Sequence, residues 1–554
     1  MNTSKKAAII IFAGLFLGTM FSSVAQISHG GMPYSFKKSI SLSQIDVELL
    51  PYHDNEALLE EEVFPSKNEG FIFGKEIEVN YNLENSGLWE TLPNGGRLWR
   101  LAIQSTGAYS LNLVFDGFYL PSHSNLFIYT EDRSYIMGSF TEKNNNQWGN
   151  FATSLLPGDA ITLEYYEAPQ DYGKGIVQLS TIVHGYKNLL FHKGKHGAAQ
   201  GKCHIDVNCS IGDSYPNAKR AVALILNKKY ALCSGTLLNN TAQDGKPYFL
   251  TAFHCVDANN NGILEQSEKD NLKNWVFVFD YESIECGSKT ERESKSISGA
   301  ALVASYNHSD FALLLLNDKP TEEFKAYYAG WDRRNISVAG TVCIHHPLGD
   351  IKKISKNNKI LESSKYSDDD PNFPDNTHWE VTNWNFGSTE GGSSGSALFN
   401  DREQVIGQLE GGSALCNGNS PNSGADYYGK FYYSWTSGNN PNMDCSLNQW
   451  LDPIGTNAEF LKGYDPYETV SLTVFIQEAA NITISPNPAT YIVKIEANTQ
   501  ISSCKIYAIN GQHIKSTEGD SDVVTINVGD LSSGVYFIKI ECDNKIITKK
   551  LVKK

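Results

Sequence analysis

The run Gly-Gly-Ser-Ser-Gly-Ser at residues 391–396, which leads directly into the apolar Ala-Leu-Phe at 397–399, constrains the fold of this chain most. A serine between glycines at the start of a strand is typical of an activated hydroxyl. Glycine permits sharp turns and lets a substrate carbonyl approach the backbone amides. Two registers are open: Gly-x-Ser-Gly-Ser makes Ser394 the nucleophile, whereas the strand-turn-helix elbow Gly-x-Ser-x-Gly makes it Ser393.

The order of the partner residues along the chain decides between the two registers. The elbow register needs a histidine after the serine, and the one histidine that follows, His513, falls in what we expect to be a separate domain. The alternative is the order histidine, aspartate, serine of chymotrypsin-like enzymes. His254, within Thr-Ala-Phe-His-Cys, and Asp310, ahead of the apolar run 311–316, supply that order. We therefore predict Ser394 as the nucleophile.

The residues around His254 and Asp310 suit a base and its orienting carboxylate. A serine hydroxyl is a weak nucleophile that needs a base within hydrogen-bond reach. His254 follows an apolar run, and a disulfide between the adjacent Cys255 and Cys233 would tie its turn to a neighbouring strand. Asp310 stands where a strand enters the core, a place where a carboxylate is costly unless it is hydrogen-bonded, and the imidazole N–H is its natural partner. The oxyanion hole is expected from the amides of Gly392 and Ser394.

Length and charge limit the class of protein. The chain has 554 residues, which at roughly 150 per domain suggests three or four domains. It is 41% hydrophobic, enough for packed cores, and its formal net charge of −16 argues against nucleic acid as a partner. We expect a monomer that acts on protein and peptide substrates.

The first part of the chain is predicted to direct export and maturation. Residues 1–25 combine a basic start, a short apolar run and small residues before a cleavage site, the pattern of a signal peptide. In the exported compartment the ten cysteines are expected to form disulfides. Residues 26–198 contain no cysteine and show short alternating strands, which predict a β-sandwich-like prosegment. It ends in a small, basic stretch at 192–199, the kind of segment where chains are cut.

The rest of the chain is predicted to hold two more β domains, so that the fold class is mainly β. Residues 199–465 are rich in short strands, glycine and aromatic residues, with helical periodicity only at 446–451. This pattern indicates a pair of β-barrels closed by a C-terminal helix. Residues 466–554 show further strands and turns and predict a small C-terminal β-sandwich.

Residues 203–464 resemble the lysyl endopeptidases, bacterial serine proteases of chymotrypsin fold. The runs that carry the resemblance are 203–209, 239–242, 248–255, 329–334, 344–347, 392–396, 407–409 and 426–429. The resemblance implies a chymotrypsin-like double β-barrel with His254, Asp310 and Ser394 as the triad and Asp426 at the base of the S1 pocket. It also implies three disulfides, namely Cys203–Cys416, Cys209–Cys286 and Cys233–Cys255. Two further cysteines are additional to the family pattern and are candidates to pair, Cys343 and Cys445.

Two positions separate this chain from trypsin. Trypsin-type zymogens carry an aspartate directly before the nucleophile, and trypsin holds its S1 aspartate six residues before it, whereas this chain has Ser393 and Ser388 there. Activation by an inserted α-amino group is therefore not expected. The carboxylate for a basic substrate must come from elsewhere, and the resemblance places it at Asp426.

The residues that follow Gly-Gln-Leu are expected to line the substrate site, namely Glu410, Gly411 and Gly412. The type member of the family has a histidine at the position of Glu410, stacked on a tryptophan. In this chain, the aromatic residue nearest to the position of that tryptophan is Tyr366. Glu410 would be a second acidic group at the S1 entrance, which favours a basic P1 residue. The exchange of histidine for glutamate is expected to affect how well the enzyme separates lysine from arginine, and also the pH dependence of its activity.

The ends of the chain carry weaker resemblances. Residues 26–198 are similar to the prosegments of the same family. The C-terminal part is similar to type IX secretion sorting domains, through the motifs at 484–488, 509–511 and 534–536 and the basic tail at 549–554. This similarity implies passage through the outer-membrane secretion machinery and a secreted or cell-surface location.

One motif comes from the residues alone. The segment from Asp257 to Glu268 fits the template of a calcium-binding loop, with oxygen ligands at alternate positions, a turn glycine and a terminal glutamate. The predicted ligands are Asp257, Asn259, Asn261, the Ile263 carbonyl and Glu268. No cofactor is expected for the chemistry itself, and calcium would serve the structure of the loop.

The sequence therefore predicts a secreted serine endopeptidase that cleaves after lysine, with arginine as a further candidate. The alternative from a different class is a catalytically inactive, protease-like surface protein that binds or adheres. An esterase would need a histidine after the serine, and the chain order excludes it.

Overall fold

The computed structural model describes residues 25–26, 28–37, 42–61, 70–189, 203–288, 290–366, 374–438, 443–467, 482–508, 512–542 and 545–554. The predicted signal peptide apart from Ala25, the basic stretch at 192–199 and the motif at 509–511 lie outside these residues. The chain divides into two compact units, residues 1–467 and residues 468–554.

The first part of the larger unit is a pair of sheets, which we call the N-terminal sandwich (residues 42–61 and 70–189). One sheet has the strands Val47–Leu49, Leu88–Thr91, Arg97–Gln104, Asn125–Thr130, Ile136–Phe140 and Ala160–Glu167. The other has the strands Gly74–Asn82, Ser110–Tyr119, Phe151–Ala152, Leu156–Pro157 and Ile176–Gly185. Alternate side chains of Arg97–Gln104, among them Trp99 and Leu101, pack against Leu113 and Phe115 of the second sheet. This period-two pattern is the signal from which the sequence predicted a sandwich.

The second part of the larger unit begins with a nine-stranded curled sheet, the first curled sheet. Its strands are Ala25–Gln26, Phe71–Ile72, Val222–Asn227, Tyr230–Leu238, Tyr248–Ala252, Trp275–Phe279, Lys295–Ser298, Ala300–Tyr306 and Phe311–Leu316. The strand Tyr248–Ala252 pairs antiparallel with Phe311–Leu316, with Ala252 opposite Phe311. Because the residues that follow the one strand and precede the other meet at the same edge, His254 and Asp310 are brought together.

A ten-stranded curled sheet, the second curled sheet, follows in the sequence. Its strands are Ile205–Asp206, Gly330–Asp332, Thr341–His345, Lys353–Asn357, Glu362–Ser364, His378–Val381, Ala397–Phe399, Gln404–Gly412, Asp426–Lys430 and Phe460–Leu461. A separate small hairpin pairs Cys416–Asn417 with Ser420–Pro421. A buried apolar cluster joins the two curled sheets, in which Leu250 and Leu313 of the first contact Ile344 and Phe399 of the second. The Ser394 loop leads into the second sheet, so the packing of the sheets positions the serine relative to the histidine.

The helices of the described residues are short. The α-helices are Asn55–Glu60, Ala218–Ala221, Phe253–Val256, Gln266–Asn271, Phe431–Thr436 and Asn448–Leu451. The last of these falls within the predicted closing helix at 446–451. None of the helices in the described ranges is long and apolar enough to cross a membrane.

The smaller unit is a five-stranded sheet with its own apolar core. Its strands are Thr483–Ser485, Ile492–Ala508, His513–Asn527, Gly534–Cys542 and Lys545–Lys553. Alternate residues such as Val493, Ile495, Ile538 and Ile540 are buried in this core. The prediction of a mainly β chain is confirmed, and the division into signal peptide, prosegment, protease and sorting domains stays a prediction.

Candidate active site

His254 and Asp310 form the most completely hydrogen-bonded pair of the predicted triad. His254 lies in the short helix Phe253–Val256, two residues beyond the end of the strand Tyr248–Ala252. The His254 Nδ1 atom is 2.8 Å from Asp310 Oδ2, and the His254 backbone N–H donates to Asp310 Oδ1 at 2.9 Å. Both carboxylate oxygens therefore hold the same residue, which fixes the position of the imidazole as well as its orientation.

The backbone at Asp310 contributes to this arrangement. Asp310 is 3% exposed and has a left-handed φ of 49°, a conformation that is uncommon for residues other than glycine and is tolerated best by Asn and Asp. The Asp310 carbonyl also accepts the Phe253 N–H at 2.7 Å. Burial lowers the pKa of His254, but the Asp310 carboxylate, together with Glu410 and Asp257, outweighs burial, so that the pKa of the imidazole is raised from its ordinary value.

The Ser394 loop packs against the strand that precedes the histidine. The Ser234 N–H donates to the Ser394 carbonyl at 2.9 Å. Gly395 has a φ of +77°, and a Cβ there would lie 2.2 Å from Thr251 Oγ1 and 2.7 Å from the Ala252 nitrogen. Only glycine allows this close approach, which brings the nucleophile loop beside the turn that carries His254.

The Ser393 hydroxyl is engaged with groups other than His254. Ser393 is fully buried, with its hydroxyl 2.7 Å from His345 Nδ1 and accepting the Glu390 N–H at 3.1 Å. Ser393 is therefore engaged within the second curled sheet. The His254 Nε2 atom is buried and has no hydrogen-bond partner among the described residues, so the structure contains no hydrogen bond between it and Ser394 Oγ.

The predicted oxyanion-hole residues flank Ser393. Within the part of the chain that the structure describes, neither the Gly392 nor the Ser394 amide has a hydrogen-bond partner. The loop around them is held from behind, because the Leu348 N–H donates to the Gly391 carbonyl at 2.6 Å and the Ser234 hydroxyl donates to the Gly392 carbonyl at 2.9 Å. Two fixed amides with open donor positions are the arrangement that stabilises an oxyanion.

Asp426 begins the strand Asp426–Lys430 of the second curled sheet. It is fully buried, and its Oδ2 atom accepts hydrogen bonds from the Trp384 indole at 2.7 Å and from the Thr389 hydroxyl. Gly412 lies directly across the strand pair from Asp426, and a Cβ on Gly412 would lie 2.5 Å from Asp426 Oδ1. A side chain at position 412 would therefore obstruct the approach to this oxygen. Ser388, at the trypsin S1 position, is buried and carries no charge.

Trp384 and Thr389 are site residues that sequence reasoning missed. Trp384 lies in a loop far from Asp426 in the chain, and no spacing rule connects the two. Thr389 lies five residues before the predicted nucleophile, and its nearness to that serine was the available signal. Both donate to the buried carboxylate, which needs such partners because an isolated charge in the interior is costly.

Glu410 is the predicted substrate residue whose surroundings differ most from expectation. Its Oε2 atom lies 2.6 Å from Nε2 of His378, a fully buried residue that the sequence did not single out. Burial, and next the Asp310 carboxylate, raise the pKa of Glu410 well above its ordinary value, while burial lowers the pKa of His378 to about 3. Tyr366, named above as the aromatic residue nearest to the family's tryptophan position, lies at an angle to the His378 ring, with ring centroids 6.1 Å apart.

The structure contains the three disulfides that the resemblance implied. They are Cys203–Cys416, Cys209–Cys286 and Cys233–Cys255. The last of these joins the turn of His254 to the neighbouring strand. Cys343 and Cys445, considered as a further pair, are unpaired as disulfides. Cys343 lies in the second sheet with its Sγ 3.1 Å from Ser396 Oγ, whereas Cys445 lies beside the strand Ala300–Tyr306 of the first, so the fold separates them.

The predicted calcium loop closes on itself through its carboxylates. Asp257 Oδ1 and Oδ2 accept the amides of Asn261 and Gly262 at 3.2 and 2.7 Å. Glu268 accepts the Asn259 amide at 3.2 Å and, as part of a helix cap, the Glu265 amide at 2.9 Å. Ile263 is exposed. The first and last predicted ligands, Asp257 and Glu268, thus both accept hydrogen bonds from amides of this loop. Calcium binding stays a prediction.

The comparisons with known proteins concern the family that the chain resembles and its C-terminal domain. Residues 197–429 match the family model of the lysyl endopeptidase C-terminal domain, and residues 483–554 match that of the secretion system C-terminal sorting domain. A lysyl endopeptidase of Pseudomonas aeruginosa is 27% identical over 365 residues, which are 62% of this chain and 74% of that protein. The resemblance inferred from the motifs is confirmed. The match to a sorting domain and the similarity to this relative support export to the cell surface or the exterior.

Proposed function

We propose that this protein is a serine endopeptidase that cleaves after lysine. The observation that carries the proposal is the His254–Asp310 pair, with both carboxylate oxygens on one histidine and a buried His254 Nε2 that has no hydrogen-bond partner among the described residues. Similarity to lysyl endopeptidases supports a secreted protease, and the residues of the site supply the reaction type. An exported protein with a sorting domain meets its secretion machinery first and its peptide substrates afterwards.

The reaction follows from the positions of the groups. Ser394 Oγ attacks the scissile carbonyl and passes its proton to His254 Nε2, while the Gly392 and Ser394 amides stabilise the oxyanion. The imidazolium, stabilised by Asp310, then donates the proton to the leaving amine, and an acyl-enzyme remains. Water attacks the ester with His254 again as the base, which releases the acid and restores the Ser394 hydroxyl.

Lysine is the P1 residue that suits Asp426 best. The Oδ2 atom of Asp426 already accepts hydrogen bonds from Trp384 and Thr389. A guanidinium pairs with a carboxylate through both oxygens, and this would compete with those donors, whereas an ammonium is a compact charge that needs one oxygen. The Asp426 pocket therefore supports selection of lysine over arginine.

The experiment that tests this function is digestion of a denatured protein of known sequence. New C-termini are read by mass spectrometry, with the Ser394→Ala variant as the control for contaminating proteases. Cleavage after lysine by the wild type alone is the expected result. The alternative, a catalytically inactive surface protein, would give the same pattern of intact substrate for both proteins.

A further inference from the structure

The first curled sheet is apolar on both of its faces. In the strands Val222–Asn227 and Trp275–Phe279, alternate side chains point into two different clusters. The inward residues, which fill the interior of the curled sheet, are Ala223, Ile225, Phe277 and Phe279. The outward residues, which we call the outer face, are Leu224, Leu226, Val276 and Val278. Each outer-face side chain is at most 5% exposed, so something covers this side of the sheet completely.

The N-terminal sandwich is what covers the outer face. One cluster joins the outer-face residues to apolar side chains of the sandwich, among them Phe71, Phe73, Val114, Val183 and Leu189. Phe71, Phe73, Val183 and Leu189 are buried to at least nine-tenths. The contact has the composition of a domain core, with aliphatic and aromatic side chains on both sides, which is typical of obligate interfaces.

Backbone hydrogen bonds reinforce the apolar contact. The strand Phe71–Ile72 pairs antiparallel with Tyr230 and Ala231 and so adds a strand to the first curled sheet. The Phe73 N–H donates to the Lys229 carbonyl at 2.9 Å. Elsewhere the Asn150 amide donates to the Lys273 carbonyl at 2.7 Å, and the Ala152 N–H donates to Ser298 Oγ at 3.0 Å. Removal of the sandwich would expose an edge of the sheet as well as its apolar face, and both promote aggregation.

The same cluster supports the loop behind the serine. Ile351 and Leu348 pack in it, and the Leu348 N–H donates to the Gly391 carbonyl at 2.6 Å. The Tyr281 hydroxyl donates to the Leu189 carbonyl, and the Tyr281 ring stacks on His346 at 5.8 Å between centroids. Contacts from the sandwich therefore reach the loop that holds the glycines beside the nucleophile.

We propose that the N-terminal sandwich stays bound after the chain is cut between residues 189 and 203, as a non-covalent subunit of the cut protein. A cut in this connection removes a tether and leaves the cluster and the added strand intact. The interpretation of residues 26–198 as a prosegment still implies that the chain is cut there. The N-terminal piece is cut from the rest of the chain but is not released. The proposal concerns the interface alone and does not require the proposed function to hold.

The test uses the full chain carrying Ser394→Ala, so that autolysis cannot occur. Limited trypsin treatment cuts the connection, and mass spectrometry identifies the preparations cut only between residues 189 and 203. Size-exclusion chromatography in native buffer is expected to give one peak that contains both fragments. The fragments should separate only in denaturant. Separate native peaks, with a C-terminal fragment that is soluble and melts cooperatively, would overturn the proposal.

A pair of matched variants tests the contact itself. Leu189→Asp places a charge against Tyr281 at the edge of the cluster and is expected to weaken association of the cut fragments about tenfold or more, since a charge is buried without a partner. Ile176→Asp, at a half-exposed position of the same sandwich, is expected to leave association unchanged. Equal dissociation of the two variants, measured by dilution before chromatography, would contradict the proposal. Because this readout is association and not activity, it is independent of the enzyme assay.

Discussion

His378 Nε2 lies 2.6 Å from Glu410 Oε2, and this buried pair stands beside the His254–Asp310 hydrogen bond. Charge on Glu410 acts on His254, whose pKa is raised partly by Glu410 and more by Asp310. His378 holds Glu410 in place on the strand that was expected to line the substrate site. The neighbours of the pair that carry charge are Asp310, Lys430 and His254.

Glu410→Gln is expected to move the acid limb of the pH profile of kcat/KM to lower pH. His254 must be neutral to act as the base, and a negative charge nearby raises its pKa. Over the part of the pH range in which Glu410 is ionised, removal of its charge lowers the pKa of His254, so that the imidazole stays neutral at lower pH. Glu380→Gln, on the same strand as His378, is the control. A profile identical to that of the wild type would remove Glu410 from the electrostatics of the base.

Ser394→Ala is expected to abolish peptide hydrolysis, with a residual rate about 10³-fold over water. Ser393→Ala should keep most of the activity, because the Ser393 hydroxyl is bonded to His345 within the second sheet. The measurement is kcat/KM on a lysyl peptide. The opposite result, an active Ser394→Ala and an inactive Ser393→Ala, would make the elbow register correct.

Asp426→Asn is expected to lower kcat/KM on lysyl substrates by about 10²-fold or more, since the buried ammonium loses its charged partner. Thr389→Val, which removes one donor to the same carboxylate, serves as the milder comparison. Gly412→Ala should also suppress cleavage after lysine, because its Cβ would lie 2.5 Å from Asp426 Oδ1. An unchanged preference for lysine in Asp426→Asn would exclude Asp426 from the S1 pocket.

Calcium is expected to raise the melting temperature of the Ser394→Ala protein at millimolar concentration. Loops of this type in extracellular modules bind at about 10⁻⁴ to 10⁻³ M, and a 100-fold excess over Kd stabilises the folded state by roughly 2.7 kcal/mol. Glu268→Ala should lose the calcium-dependent shift. Because Glu268 also caps a helix together with Glu265, Glu265→Ala is the matched control that weakens the cap and keeps the predicted ligand. Identical melts with calcium and with chelator would show that the loop binds none.

Maturation is expected to be self-catalysed. Three lysines in the connection fit the proposed specificity, Lys193, Lys195 and Lys202. Purified wild-type protein should be cut there, and Ser394→Ala, prepared without other proteases, should remain full length through this region. N-terminal sequencing of the products locates the cut, and cutting of the inactive variant would point to another enzyme.

The sequence by itself determined the β character of the chain and the composition of the active site. Alternation in the run Arg97–Gln104 is a local pattern that predicts a strand without knowledge of the fold. The order of His254, Asp310 and Ser394 also needs no coordinates, since each chemistry-bearing residue stands next to its own strand signal. Asp426 and two of the disulfides, Cys203–Cys416 and Cys209–Cys286, came instead from resemblance to a family, because pairings across many residues have no local signature.

Only the tertiary structure decided which residues meet across strands and sheets. His378 and Glu410 meet across the strand Asp426–Lys430, which pairs with the strands of both, and Trp384 reaches Asp426 from a loop. No periodicity of the sequence encodes these contacts. The continuous apolar run at 222–226 predicts a buried strand, but it does not say what covers each face. The fold separated Cys343 from Cys445 and laid the N-terminal sandwich over Leu224 and Val276. These contacts depend on long-range packing. Burial of apolar surface is not directional, so the sequence alone does not say which of many apolar surfaces will cover a given face.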